Sequence, residues 1–436
     1  MSNDKTVGVA LLGAGIVGGG VVKILRDQRE MLFRRTGLTF DVRHVVVRDV
    51  KKYDSSLPLT TDVSKAIDDP KVSIVVELMG GTTTAADAIE RALKAGKIVV
   101  TANKALLAIR GPELFALARK HNTAICFEAS CCGGIPIINA LQRGLVANRI
   151  NALMGIVNGT CNFILTRMTR NGWAYDQALK EAQKLGFAEA DPTLDVSGRD
   201  AAQKLAILAS LAFDVRIAES DVHVEGIDSL DASDITFAKS LGYTIKLLAI
   251  AERGEGEKLI LRVHPSLVHE DDLLADVNDS FNAVSVYGHA VGHAVFYGRG
   301  AGQMPTASAV VSDIVSAAMG IEVDRFKHLR ALPDSTAPVQ TQPMDELKSR
   351  FYLRVMVLDE PGVIAQVSAA LGKHGISLSS IHQQESESRS SDVVPLVITT
   401  HAAKEGSVRN AIREIDGLKV VRPASKCLRI IDSPVE

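Results

Sequence analysis

The chain has 436 residues, 46% hydrophobic and 23% charged, with a formal net charge of -2. That length calls for two or three domains, each with its own core, and the near-neutral balance lacks the basic excess that tracks a nucleic acid. No apolar run approaches the roughly 20 residues that span a bilayer, and the opening MSNDKTVGVALLGAG has no basic n-region or small-residue cleavage site, so a cytoplasmic protein with no nucleic-acid or membrane partner is expected.

Residues 6–130 alternate short β-branched runs with helical patterns. TVGVALLG, DVRHVVVRD, SIVVELMG, KIVVTANK and AICFEAS predict strands buried on both faces; GGVVKILRDQREML, AADAIERALKAG and ELFALARKHN repeat apolar residues every three or four positions, as amphipathic helices do. The expectation is a Rossmann-like, doubly wound parallel sheet over residues 1–135. Gly13, Gly15 and Gly18 form GxGxxG between the first strand and first helix. The first glycine permits the tight turn, the second lets a pyrophosphate approach the backbone, and the third lets the helix pack closely. A glycine turn without a ligand is the plain alternative, disfavoured by the four alternating strands that follow.

The second strand ends in VVVRDVKK. Arg48, with Lys51 and Lys52 behind it, suits the 2′-phosphate of NADP, because guanidinium offers bidentate hydrogen bonds as well as charge. Asp49 keeps NAD open, and a solvated turn is the bland reading. Lys104, beside Asn103, closes the fourth strand, where ligands of such sheets lie, although a surface lysine capping a strand reads equally well.

From 136 to 330 the texture becomes α+β, a substrate and oligomerisation region whose residues 300–330 are expected to pack back on the first domain. Helices dominate 173–213, and strands are expected near 222–226, 257–264 and 281–298. In SGRDAAQKLAILASLAF the helix is apolar almost all round and should be buried, with Asp200 and Lys204 sharing one face as an i, i+4 pair. A buried charged pair is costly unless it is satisfied and useful; a structural ion pair is the alternative. Burial is expected to move the Lys204 pKa down toward working pH, where an ammonium serves as general acid. Upstream, Glu189, Asp191, Asp195 and Asp200 fall within twelve residues. They read as ligands for a divalent metal, as partners of a substrate ammonium, or as turn and helix caps. Eleven histidines show no Ser-His-Asp arrangement. A dinucleotide, a lysine in an apolar setting and acids for an amine together point to hydride transfer to a carbonyl of an amino acid. The cysteines, at 126, 131, 132, 161 and 427, give no zinc spacing or disulfide framework. The vicinal pair 131–132 is open to a redox role, with packed inert thiols as the alternative.

Residues 331–349 collect Pro, Ser, Thr, Gln and Asp without apolar periodicity and read as a linker. Residues 350–436 read strand, helix, strand, strand, helix, strand.

GAGIVGGGVV, VVELMGG, TANKALLA, FEASCCGGIPII, NGTCNFILT, LGFAEADPTLDVSGRDAAQKLAIL and GRGAGQMPTASAVVSDI, in this order, resemble the homoserine dehydrogenase family over residues 6 to about 330. DEPGVIAQVSAALGKHGISL resembles an ACT domain. The resemblance implies NAD(P)-dependent interconversion of L-aspartate 4-semialdehyde and L-homoserine, on the path to threonine, methionine and isoleucine. It implies Lys204 as proton donor, Asp200 as its holder, and Lys104 in contact with cofactor and substrate. Glu189 and Asp195 are implied at the substrate. The turn Gly13, Ala14, Gly15, Ile16, Val17, Gly18, with Arg48, Gly80, Gly186 and Gly302, is implied at the cofactor. A monovalent cation, usually sodium, is implied at Glu128 and the carbonyls of Cys131, Gly133 and Ile135. Valine and a small residue commonly stand where Cys131 and Cys132 occur, a departure that leaves carbonyl ligation possible. The ACT resemblance implies threonine feedback near HGIS, with an assembly-only domain as the alternative, and the family implies a homodimer or homotetramer. With the glycine turn at residue 13, no aspartate kinase precedes it, and a monofunctional enzyme is expected. A dehydrogenase for another small amino acid and a non-catalytic amino-acid sensor are the competing readings.

Overall fold

The computed structural model describes residues 5–330, 332–383, 392–432 and 434. The chain forms two compact units: one from the segment up to Gly159 with Asp200–Val222 and Ser280–Val339, the other from Thr160–Arg199, His223–Asp279 and the chain from Gln340 on. The middle region therefore contributes to both.

In the first unit, β1 (Lys5–Leu12), β2 (Leu38–Val46), β3 (Leu59–Thr60), β4 (Val72–Glu77), β5 (Ile98–Thr101) and β6 (Ile125–Cys126) form one sheet in the order β3-β2-β1-β4-β5-β6. Every pairing is parallel. Its Val and Ile side chains are buried because helices cover the sheet. Val21 and Leu25 of helix Ile16–Asp27 and Val310 and Ile314 of helix Gln303–Ala318 share a core with Val9, Leu11 and Val76. The two helices approach closely at Gly20, where a Cβ would sit 2.8 Å from that of Ala307. Strand order reverses between β1 and β4, the place where such sheets open a ligand crevice. The same unit holds three antiparallel strands, Ile150–Ile156, Phe281–Gly288 and Gly292–Arg299, with Phe281–Gly288 in the middle. The first has no counterpart in the sequence reading: INALMGI carries Asn, Ala and Gly, which are poor strand formers. Among the described residues no single helix is long and apolar enough to cross a membrane.

In the second unit the strand Tyr243–Arg253, also unanticipated, pairs antiparallel with Leu259–His269, which runs parallel to Val421–Ile431. Beyond it lie Lys348–Leu358, Val393–Thr400 and Leu378–Gln383. With helices Val363–Lys373 and Glu405–Asp416 these complete the expected βαββαβ unit. Its core is Phe351, Leu353, Val355, Val367, Leu371, Leu396, Val408 and Ile415. The stretch expected to be a linker is tied down. Arg216 N donates to Ala337 O at 2.7 Å, Leu259 N donates to Gln340 O at 2.9 Å, and from Lys348 the chain is already strand. Local composition shows no apolar periodicity there because the stretch is held by main-chain pairing and by polar side chains, Asp334 on Arg119 at 2.8 Å and Gln342 accepting from Glu255 N at 3.0 Å.

Candidate active site

The glycine turn closes β1 against the first helix with the three roles its spacing predicts. Gly13 has φ +102°, and a Cβ on it would stand 2.6 Å from Leu78 O. A Cβ on Gly18 would stand 2.3 Å from Gly13 O, so helix and turn touch through backbone. Gly15 has open space where its Cβ would be, the cradle a phosphate needs. Gly13, Ala14, Gly15, Arg48 and Gly80 line a cleft of about 780 Å³, together with Asp49, Lys52 and Gly81. Ile16 and Val17 open the helix below it and Gly18 is buried. Asp49 Oδ1 accepts from Lys51 N at 3.0 Å, and Arg48, Asp49 and Lys52 are the charged residues lining the cleft.

Beside the cleft, hydrogen bonds carry order from the sheet to the first lysine. Buried Glu77, at the end of β4, accepts from Met79 N at 2.8 Å, Gly80 N at 3.1 Å and Thr101 Oγ1 at 2.7 Å. Thr101 Oγ1 accepts from Asn103 N. Asn103 caps helix Lys104–Lys120 by accepting from Leu106 N, and its Nδ2 donates to Gly81 O at 2.8 Å. Lys104, the next residue, reaches Asp200 Oδ1 at 3.1 Å.

Asp200 opens helix Arg199–Phe213, whose body is buried as the apolar sequence predicts. Its Oδ2 accepts from Lys204 Nζ at 2.8 Å and from Asn158 Nδ2 at 2.8 Å, and Lys204 Nζ also donates to Val157 O at 2.7 Å. The Lys204 side chain is 13% exposed and that of Lys104 28%. Burial works against the Asp200 charge, but Lys204 and Lys104 outweigh it and hold the carboxyl at about 2. One sequence expectation is corrected here. Burial does pull the Lys204 pKa down, yet the Asp200 carboxylate and hydrogen bond win, and the ammonium is held above its ordinary value. Two cations thus share one buried anion, and Lys204 keeps its proton at any physiological pH.

The other expected residues divide as follows. Glu189 is exposed after helix Tyr175–Lys184; Gly186 lies in the same turn with φ +76°. Asp195 sits in the short helix Thr193–Val196, where its carbonyl accepts from the Cys161 thiol. These three belong to the second unit, whereas Lys104, Asp200 and Lys204 belong to the first. Asp191 caps, as read from the sequence, accepting from Thr193 N and Oγ1. The divalent-metal reading of the acidic run finds no support: Asp191 and Asp200 are engaged as described, and among the described residues no group of three or more His, Cys, Asp or Glu is placed to hold a metal.

Gly302 caps helix Gln303–Ala318 with φ +118°. Nearby, a Cβ on Gly133 would stand 2.5 Å from Gly300 O, so the Cys131–Ile135 loop lies directly on the turn before that helix. The Glu128 carboxylate does not point to a cation. It accepts from Ile138 N at 2.9 Å, Asn139 N at 2.8 Å and the Asn139 side chain. Burial raises its pKa despite them. Of the main-chain oxygens expected at a cation, Ile135 O accepts from Ile137 N at 2.8 Å. Cys131 and Cys132 are buried free thiols; burial pushes the Cys132 pKa to about 11 and that of Cys131 higher, so neither offers a thiolate.

Sequence reasoning assigned no role to Glu77, Thr101, Asn158 or the Val157 carbonyl. An acid closing a strand otherwise apolar but for Ser73, as Glu77 does, was the available signal; Asn158 had none, because its partner lies 42 residues away.

Comparison with known proteins follows the same lines. The homoserine dehydrogenase NAD-binding domain matches residues 13–128, homoserine dehydrogenase residues 136–315, and the ACT domain residues 351–417. A homoserine dehydrogenase of Pseudomonas aeruginosa is 43% identical over 422 residues, 96% of this chain and 97% of its own. The crystal structure of a homoserine dehydrogenase from Thiobacillus denitrificans superposes with TM-score 0.92 at 43% identity, over 98% of this chain and 99% of that one. A hyperthermophilic archaeal homoserine dehydrogenase in complex with NADPH gives TM-score 0.62 at 26% identity, over 72% of this chain and 98% of its own. With a nicotinamide-dinucleotide fold, a buried lysine–aspartate–lysine cluster and full-length relatives of one kind, the chain belongs to the homoserine dehydrogenase family.

Proposed function

We propose that the chain reduces L-aspartate 4-semialdehyde to L-homoserine with NADPH, reversibly, and that Lys204 protonates the aldehyde oxygen. The observation that carries this is the Lys204 ammonium, fixed by Asp200 and Val157 O with its charge maintained. A bound nicotinamide supplies the hydride. As the carbonyl carbon gains it, negative charge gathers on oxygen, and Nζ gives up a proton to an atom far more basic than itself. A lysine above its ordinary pKa suffices, since the acceptor is an alkoxide rather than a neutral oxygen; such a donor contributes typically 10²–10⁴-fold. Asp200 orients Nζ and stabilises the charged form, while Lys104 places a second cation beside the developing charge. Glu189, exposed and acidic, takes the substrate ammonium with Asp195.

Arg48 and Lys52, two cations lining the cleft beside the single acid Asp49, support NADP over NAD. Gly186 and Gly302 are assigned to the nicotinamide end. Sodium would be held by the main-chain oxygens of Glu128, Cys131, Gly133 and Ile135, shaping the loop without entering the chemistry. The ACT unit is the place for threonine feedback, in a cytoplasmic homodimer or homotetramer. Steady-state rates with NADPH and NADH, with and without threonine, test these assignments together. NADPH is expected to be preferred, with Arg48→Ala raising its KM about tenfold and leaving that for NADH unchanged; equal effects on both cofactors would remove Arg48 from the 2′-phosphate.

A further inference from the structure

A second cleft, of about 390 Å³, lies within the first unit between helices Lys104–Lys120 and Arg199–Phe213. Leu107, Pro112 and Phe115 line it from one helix, Ala206, Ile207 and Leu211 from the other. At its edge Ile109 is 66% exposed. The volume is that of a small-molecule site and the walls are apolar, as such sites are. Three charged groups stand at the rim. Glu113 pairs with Arg110 at 3.0 Å, and Asp221 accepts from Ala218 N at 2.8 Å. Arg216 is held only by its backbone, through Ala337 and Val339; among the described residues its guanidinium has no ion pair or hydrogen bond.

We propose that this cleft is an effector site for a compact apolar ligand bearing one carboxylate, with the apolar body between the two helices and the carboxylate on Arg216. Its walls continue the stripes that carry the active-site cations. Leu107 follows Lys104 by three residues and Ile207 follows Lys204 by three, each about 4.5 Å along its helix on the same face. A ligand wedged there acts on the helices whose first turns meet at Asp200, where Lys104 stands 3.1 Å away. Separating them weakens that contact, so the ligand inhibits without competing for either substrate.

The test uses 4-phenylbutanoate, with its neutral amide as control, titrated calorimetrically into the full-length protein and assayed against NADPH oxidation. One saturable site per chain is expected, preferring the acid over the amide and inhibiting non-competitively with respect to aldehyde and NADPH. Arg216→Gln should weaken binding of the acid about tenfold and abolish that preference. Ala108→Phe, which fills the cleft and so wedges the helices itself, should abolish binding and lower uninhibited turnover as the ligand does, with the circular-dichroism spectrum of the parent retained. Absence of saturable binding, equal affinity for acid and amide, competition with a substrate, binding without inhibition, or binding that survives Ala108→Phe would each overturn the proposal. The binding arms read the cleft independently of turnover, so their failure is distinct from failure of the dehydrogenase reading.

Discussion

Asp200 sets the protonation of the site. With its pKa near 2 against an ordinary carboxylate near 4, it stabilises the fold fully above about pH 4, and that contribution is lost as pH falls from about 4 toward 2. Lys204 has the opposite sign: its raised pKa stabilises the fold at all pH values below the ordinary lysine range and is lost as pH climbs through the raised value. Asp200→Asn removes the charge that outweighs burial, so the alkaline limb of the rate profile should move to lower pH. An unmoved limb would show that Asp200 does not hold the lysine proton. The same change leaves two cations facing a neutral amide in a buried site, at a cost of about 3–5 kcal/mol in unfolding free energy. At this scale the sequence was a partial guide. The i, i+4 spacing placed Asp200 and Lys204 together, but that the Asp200 charge, at 2.8 Å, outweighs the burial of Lys204 is a matter of distance, which no spacing encodes. Glu128 shows the same limit. Its place in the loop was legible, but not that the amides of 138 and 139 take its carboxylate.

At the level of the element, the glycine spacing answers local steric demands at two positions, Gly13 and Gly18, where a Cβ would meet backbone, while Gly15 leaves space open. Gly18→Ala places a methyl 2.3 Å from Gly13 O. Circular-dichroism melts and NADPH fluorescence titration should show a loss of about 1–3 kcal/mol and weakened nucleotide binding together; unchanged nucleotide affinity would mean the turn can shift without harming the cradle. The parallel strands were legible as continuous Val and Ile runs. Ile150–Ile156 was not, since its partner Phe281–Gly288 is distant in sequence, and Tyr243–Arg253, paired with the next strand, carries an LLAIA run that reads equally as helix. The division between the two compact units, after Val339, falls within the stretch 331–349, whose polar composition hid the hydrogen bonds that anchor it.

Across the molecule, the βαββαβ unit is built into the second compact unit rather than appended to it. Arg429, 5% exposed, joins Glu405 at 2.6 Å and Glu225 at 2.8 Å, and buried Asp234 takes Arg354 at 2.7 Å and the Tyr352 hydroxyl. Arg429→Met strands buried Glu405 without a partner, so the protein should lose about 3–5 kcal/mol, and a double substitution that also makes Glu405 apolar should recover most of it. Chemical denaturation of the parent and the two variants checks this; equal stability of single variant and parent would show that the triad is idle. The order of the elements in this region was plain from the sequence, but its ion pairs to residues 225 and 234 join positions some 120–204 residues apart and leave no local pattern.

The account rests on Lys204 as the proton donor, and single-turnover reduction of L-aspartate 4-semialdehyde by NADPH in the Lys204→Ala variant reads that role directly. The predicted result is a rate lower by at least about 10²-fold with NADPH affinity unchanged; a rate within about threefold of the parent, with the fold intact, would contradict it.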